Sequence, residues 1–199
     1  YISDGSKKMI RYGFNAYGGK YDYKNDNNFK EIFNYVSDEI DIDNFVLEGG
    51  NLEFSARGIL ITNMHCIKKN NIANYTINTE EEINRMIEKL EISELFTINL
   101  NGIIGDDTNG HIDNFIRFID NETIVYFASK DESYCNYQIA CRLEKQVEDI
   151  VERSKIIKQA IPLYHSKDDE LIKNGKIYPY SKLNFCLLYT SDAADDLTR

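Results

Sequence analysis

The stretch Ile104-Gly105-Asp106-Asp107-Thr108-Asn109-Gly110-His111-Ile112-Asp113-Asn114 decides how this chain is read. Acids, glycines and an asparagine lead into an apolar run over residues 112–119. Asn and Thr suit a tight polar loop. The run carries Ile and Phe on both faces, interrupted by Asp113, Asn114 and Arg117, and so predicts a mostly buried strand. On an extended strand His111 and Asp113, two residues apart, face the same side. A lone histidine is most often structural, whereas one paired with an aspartate at the mouth of a strand is a candidate acid/base. A calcium loop is also acidic, but its regular ligand pattern is absent.

Working outward, residues 123–128 predict a second strand, paired with the first across Asp120-Asn121. Residues 137–153 predict a helix with Ile139, Leu143, Val147, Ile150 and Val151 inward. Residues 156–163 offer another strand. Upstream, strands are predicted over 9–14, 45–47, 52–54, 58–62 and 96–100, and a helix over 28–36. A further helix begins at Thr79, which with Glu82 forms a capping box, and it buries Ile83, Met86, Ile87 and Leu90. Tyr1-Ile2-Ser3-Asp4-Gly5 has the look of a hairpin interior, so the natural N-terminus is expected to lie upstream. The recurring unit is two or three short strands plus a helix, which makes the chain α/β and built of modules. No Gly-x-Gly-x-x-Gly follows a strand and no P-loop is present.

A chain of 199 residues with 42% hydrophobic residues suits one domain with a real core. Its formal net charge of -10 disfavours nucleic acid and is compatible with a small cationic substrate, although acidic surfaces ordinarily serve solubility. No apolar run reaches the roughly 18 residues of a spanning helix, so no membrane is expected. Four cysteines, at 66, 135, 141 and 186, lack zinc-type spacing and fit a reduced, cytoplasmic protein with no metal. From Cys186 onward the composition changes abruptly and looks like a translated sequencing adapter. The expected division is therefore 1–185 as an incomplete domain and 186–199 as an artefactual tail.

Two more clusters complete the candidate site. Phe14-Asn15-Ala16-Tyr17-Gly18-Gly19-Lys20 follows a strand, and its glycines permit a sharp turn or close approach of a ligand. In Leu47-Glu48-Gly49-Gly50 a carboxylate sits between an apolar strand and a turn, either solvated or buried with a partner. Taken in order with Asp106–Asp113, these segments resemble the agmatine deiminase family of the guanidine-modifying (pentein) superfamily, and Pro179-Tyr-Ser-Lys-Leu-Asn-Phe185 resembles a fourth family stretch. The resemblance covers residues 1–185 and implies a partial five-bladed α/β propeller of ββαβ modules, about three of the five being present.

The resemblance also implies a chemistry. Paired carboxylates bind a guanidinium bidentately, a cysteine thiolate attacks its central carbon, and a histidine protonates the departing ammonia and then activates water. It assigns His111 as acid/base, Glu48 as the group orienting it, and Asp113 and Tyr17 as substrate-binding, with no cofactor or metal. The activity implied for the parent is hydrolysis of agmatine to N-carbamoylputrescine and ammonia, a step in putrescine biosynthesis. A protein-arginine deiminase and a non-catalytic pentein-type binding protein are the alternatives. Tyr17 stands where the family usually has Trp, and Asn109 replaces a common Asp. The family's nucleophilic Cys and its first guanidinium-binding Asp have no counterpart in this chain, so the chain alone is expected to be inactive. Cys186 falls in the suspect tail. His65 and Cys66, as neighbours on a strand, would face opposite ways. Cys135 and Cys141 are expected to be packing residues, and His165 a surface residue.

Overall fold

The computed structural model describes residues 2–3, 6–7, 9–23, 40–71, 81, 90 and 92–183. The helix expected over 28–36 and the tail from Cys186 lie outside the described residues; of the helix expected after Thr79 only Glu81 and Leu90 are described, and both are helical. A short hairpin, β1 (Ile2–Ser3) and β2 (Ser6–Lys7), precedes β3 (Met9–Gly13). β3 pairs in parallel with β4 (Ile40–Val46), and the one-turn helix α1 (Ala16–Gly19) follows β3.

Two ββαβ units form the rest of the scaffold. In the first, β5 (Glu53–Phe54) runs antiparallel to β6 (Ile59–Asn63), and β6 runs parallel to β7 (Glu94–Ile98), with helix α2 (Met64–Asn70) leaving the end of β6. In the second, β8 (Ile116–Phe118) is antiparallel to β9 (Thr123–Ser129). Helix α3 (Tyr137–Arg153) then carries the chain back to β10 (Gln159–His165), parallel to β9 over seven residue pairs. A small hairpin, β11 (Leu171–Lys173) and β12 (Lys176–Tyr178), follows. A parallel pair needs a long crossover, and α3 supplies one. Its face of Ile139, Leu143, Val147 and Ile150 is buried against the sheet, at about 1.5–3 kcal/mol for each large side chain. β6 is buried on both faces, which accounts for its unbroken Ile59-Leu60-Ile61. No helix among the described residues is long and apolar enough to cross a membrane.

Two expectations change. The strand predicted over 112–119 begins only at Ile116, because Ile112–Asn114 is a 3-10 turn. Ile112 and Phe115 are both fully buried, and the three-residue period of that turn puts them on one face. Apolar residues at this spacing imitate a strand buried on both sides.

His165 is buried rather than a surface residue, at 2% exposure. Its Nδ1 donates to Leu163 O (2.9 Å), its Nε2 accepts from Lys182 N (3.0 Å), and its ring lies 4.3 Å from that of Phe127. That pairing fixes the neutral tautomer, and burial holds its pKa below the ordinary histidine value. The unfolded chain therefore takes up a proton first as pH falls, so this contribution is complete above the ordinary value near 6.5 and is lost toward the lower folded value. The urea midpoint is expected to decline as pH drops below neutrality, and His165→Gln to flatten that decline. An equal decline in the variant would remove His165 from the account.

Candidate active site

Two 3-10 turns face each other at the centre of the site, and each is preceded by a predicted residue. Glu48 stands at the N-cap of Gly49–Asn51, and His111 at the N-cap of Ile112–Asn114. Both side chains are buried, and His111 Nε2 lies 2.5 Å from Glu48 Oε2. The same Glu48 oxygen accepts from Asn70 Nδ2 (2.8 Å), while Oε1 has no hydrogen-bond partner among the described residues. An ionised partner makes such bonds short and strong.

Gly50 is where these groups converge. A Cβ built there would lie 2.3 Å from His111 Nδ1 and 2.9 Å from Asp113 Oδ2. His111 and Asp113 do share one side, as the strand argument required, but the turn brings them there by a different backbone path. Burial raises the carboxyl of Asp113 above the ordinary aspartate range, opposed by His111 and by Arg117. Arg117 is itself held by Glu53 (3.0 Å), whose other oxygen accepts from Phe118 N (2.7 Å).

Tyr17 covers the histidine edge-on, with ring centroids 5.6 Å apart. It stands on a left-handed turn: φ is 51° at Ala16, 61° at Tyr17, 81° at Gly18 and 84° at Gly19. Asn15 caps the turn by accepting from Gly18 N (2.9 Å). Asn109, also left-handed at φ 68°, locks it by donating from Nδ2 to Tyr17 O (3.1 Å) and to Asn70 Oδ1 (2.6 Å). A carboxylate at this position has no hydrogen to donate, so Asn rather than Asp is what this network needs. Lys20 Nζ donates to Asn109 Oδ1 (2.8 Å), and Tyr21 OH to Asp107 Oδ2 (2.7 Å). Asp106 is spent on the loop, accepting from Thr108 N and Oγ1 and from Gly110 N.

The sequence reading missed Asn63 and Asn70, and set Cys66 aside on an argument that does not hold. Asn63, fully buried, donates to Leu100 O and Gly110 O and accepts from His65 N and Leu100 N. Asn70 links Glu48 to Asn109. Cys66 lies on helix α2 rather than on a strand, so the argument from alternating faces does not apply to it. Its Sγ, an oxygen of Glu48 and a ring nitrogen of His111 all fall within 4.8 Å of one another, a set of atom types able to hold a metal ion. Burial, and then the charges of Glu48, Asp106 and Asp113, push its thiol pKa well above the ordinary value.

Comparison with known proteins shows which family the chain falls in. A sequence profile for Porphyromonas-type peptidyl-arginine deiminases matches residues 1–191. The chain belongs to that family. Among its relatives, the agmatine deiminase of Pseudomonas fluorescens is 27% identical over 180 residues, covering 84% of this chain and 48% of the relative. The agmatine deiminase of Stutzerimonas stutzeri matches to the same extent. The chain thus spans about half the length of the curated relatives it matches. A Porphyromonas gingivalis structure, provisionally described as an arginine deiminase, superposes with a TM-score of 0.80 at 28% identity. That match covers 92% of this chain and 55% of the other. A Cys-to-Ser variant of the C. jejuni agmatine deiminase, with substrate bound, gives 0.74 at 26% identity and covers 92% and 53%. The mixed α/β scaffold of this chain is therefore that of solved members of the deiminase group.

Proposed function

We propose that the chain carries one part of a guanidine deiminase site, and that the whole protein hydrolyses agmatine to N-carbamoylputrescine and ammonia. The observation that carries this reading is the buried 2.5 Å contact between His111 and Glu48 beside Asp113. In it Glu48 holds His111 in position. His111 then delivers a proton to the departing ammonia and takes one from the incoming water. Asp113 binds the guanidinium, and Tyr17 offers its ring to the cation. The scaffold would be completed as a five-module propeller, and the free thiols of Cys66, Cys135 and Cys141 suit a cytoplasmic setting. No cofactor is assigned.

The chain alone is proposed to be inactive. What supports this is that the resemblance implies a nucleophile and a first carboxylate for which no residue of this chain is assigned, and that Cys66, with its raised pKa, yields little thiolate. The peptidyl-arginine reading has support of its own in the family description. Both are tested by giving agmatine and a blocked arginine peptide to the complete gene product and measuring ammonia and ureido product. Turnover of agmatine alone supports the first reading, turnover of the peptide alone the second, and none from either refutes both. Ammonia release from agmatine by the purified 199-residue chain would refute the claim that it is inactive.

Asp113 must be ionised to bind a cation, and its pKa is raised. Affinity for agmatine is therefore expected to fall with decreasing pH while ordinary aspartates are still ionised. Asp113→Asn should raise KM by about tenfold to a hundredfold and remove this acid limb. An unchanged KM in the variant would take Asp113 out of the binding site.

A further inference from the structure

Glu48, Cys66 and His111 come from three separate parts of the chain, yet their ligand atoms lie within 4.8 Å of one another and all three residues are buried. The deiminase reading uses Glu48 and His111 and gives Cys66 no task. A second observation points into the same place. Glu48 Oε1 is buried and lacks a hydrogen-bond partner among the described residues, although its side chain is only 5% exposed. A buried carboxylate oxygen in that condition calls for a cation or an ordered donor.

We propose that Glu48, Cys66 and His111 form a binding site for a borderline-soft divalent cation, zinc foremost. Thiolate, imidazole and carboxylate are the ligand types zinc accepts, whereas magnesium and calcium favour all-oxygen sites. The charges balance. The cation bonds to Sγ of Cys66 as the thiol proton leaves to solvent, and the thiolate and the Glu48 carboxylate together neutralise two positive charges, so little net charge is buried. Zinc bonds of about 2.0–2.3 Å set ligand atoms about 3.3–3.7 Å apart, so the widest present separation closes by roughly 1 Å while the 2.5 Å contact of His111 Nε2 with Glu48 Oε2 opens by a similar amount, the proton of that hydrogen bond passing to His111 Nδ1 as Nε2 takes the metal. The contacts that hold Cys66 Sγ are long, 3.5 Å to Thr108 O and 3.4 Å from Asn70 Nδ2, and yield to that movement. A fourth position is left for water. On the deiminase reading, a bound cation engages His111 and Glu48 together and so inhibits turnover.

The test is titration of the purified 199-residue chain with Co2+ and Zn2+ in the presence of excess Mg2+. One equivalent should bind, and the cobalt form should show thiolate-to-metal charge transfer in the near ultraviolet. Replacing Cys135, Cys141 and Cys186 together by alanine should leave that band in place. Cys66→Ser should abolish it and weaken zinc binding by about a hundredfold, with the urea midpoint showing that the variant is folded. X-ray absorption on the unmutated chain with zinc bound needs no variant and should find one sulfur among nitrogen and oxygen ligands. A first shell without sulfur, a band that survives Cys66→Ser, or undiminished zinc affinity in Glu48→Gln would each overturn the proposal. Binding is read without substrate, so failure here leaves the deiminase reading intact, and failure of the agmatine assay leaves this site intact.

Discussion

Gly50→Ala should reduce the proposed deiminase turnover of the complete gene product by about a thousandfold while leaving it folded. The added methyl would sit 2.3 Å from His111 Nδ1 and 2.9 Å from Asp113 Oδ2, so both side chains have to move. The backbone itself is not strained, because Gly50 is absent from the left-handed positions. The cost is therefore steric and local, about 1–3 kcal/mol of stability for an overpacked site. With His111 in its proposed role the effect on turnover is far larger, because displacing an acid/base by about 1 Å already costs about two orders of magnitude in rate. Here His111 also loses its alignment on Glu48. Measuring kcat/KM together with the urea midpoint separates the two effects. A variant with near-normal turnover would show that the convergence of His111 and Asp113 on Gly50 has no part in the chemistry.

Asn63→Leu is expected to bring the largest loss of stability, about 3–5 kcal/mol. Leucine approximates the volume but makes none of the four side-chain hydrogen bonds. Two carbonyls, of Leu100 and Gly110, lose their donor, and two amides, of His65 and Leu100, lose their acceptor. All this occurs at a residue with no solvent exposure, where water cannot substitute. Asn63 also exchanges a pair of bonds between its backbone and the side chain of Asn51, so it joins the end of β6 to the turn that follows Glu48. Domain stability is commonly only about 5–15 kcal/mol, so the variant should be partly unfolded under mild conditions. A shift in the urea-unfolding free energy of under about 1 kcal/mol would mean that these bonds are readily replaced.

The sequence displayed what depends on local periodicity. α3 spans the predicted residues 137–153, because its apolar positions recur every three or four residues over several turns. β6 was visible as a short apolar run, with its boundary shifted by one residue. Glu48, His111 and Asp113 were named from motif order; the structure brings Glu48 to His111, and His111 and Asp113 to Gly50. What could not be read depends on partners distant in sequence. Asn63 bonds to groups 37 and 47 residues away, and Asn109 to Tyr17 at a separation of 92. Composition marks such asparagines only as loop formers. His165 was misplaced for a different reason, since two of its partners are backbone groups that carry no sequence signature. The 3-10 turn at Ile112–Asn114 was missed because apolar residues three apart also satisfy the pattern of a strand buried on both faces.

The left-handed conformation at Ala16 and Tyr17 has a consequence for how this protein can be improved. Both are L-residues with a side chain, held where glycine or asparagine is at ease, at a cost on the order of 1–3 kcal/mol each. A design that optimised thermostability alone would relieve both positions first. At Tyr17 that gain would come by removing the ring that lies over His111. Ala16 is buried and presents only a methyl group, so Ala16→Gly relaxes the backbone without touching the aromatic. Two adjacent positions with the same conformational defect thus differ in kind: one is open to stabilisation, and at the other stability trades against the proposed role of Tyr17.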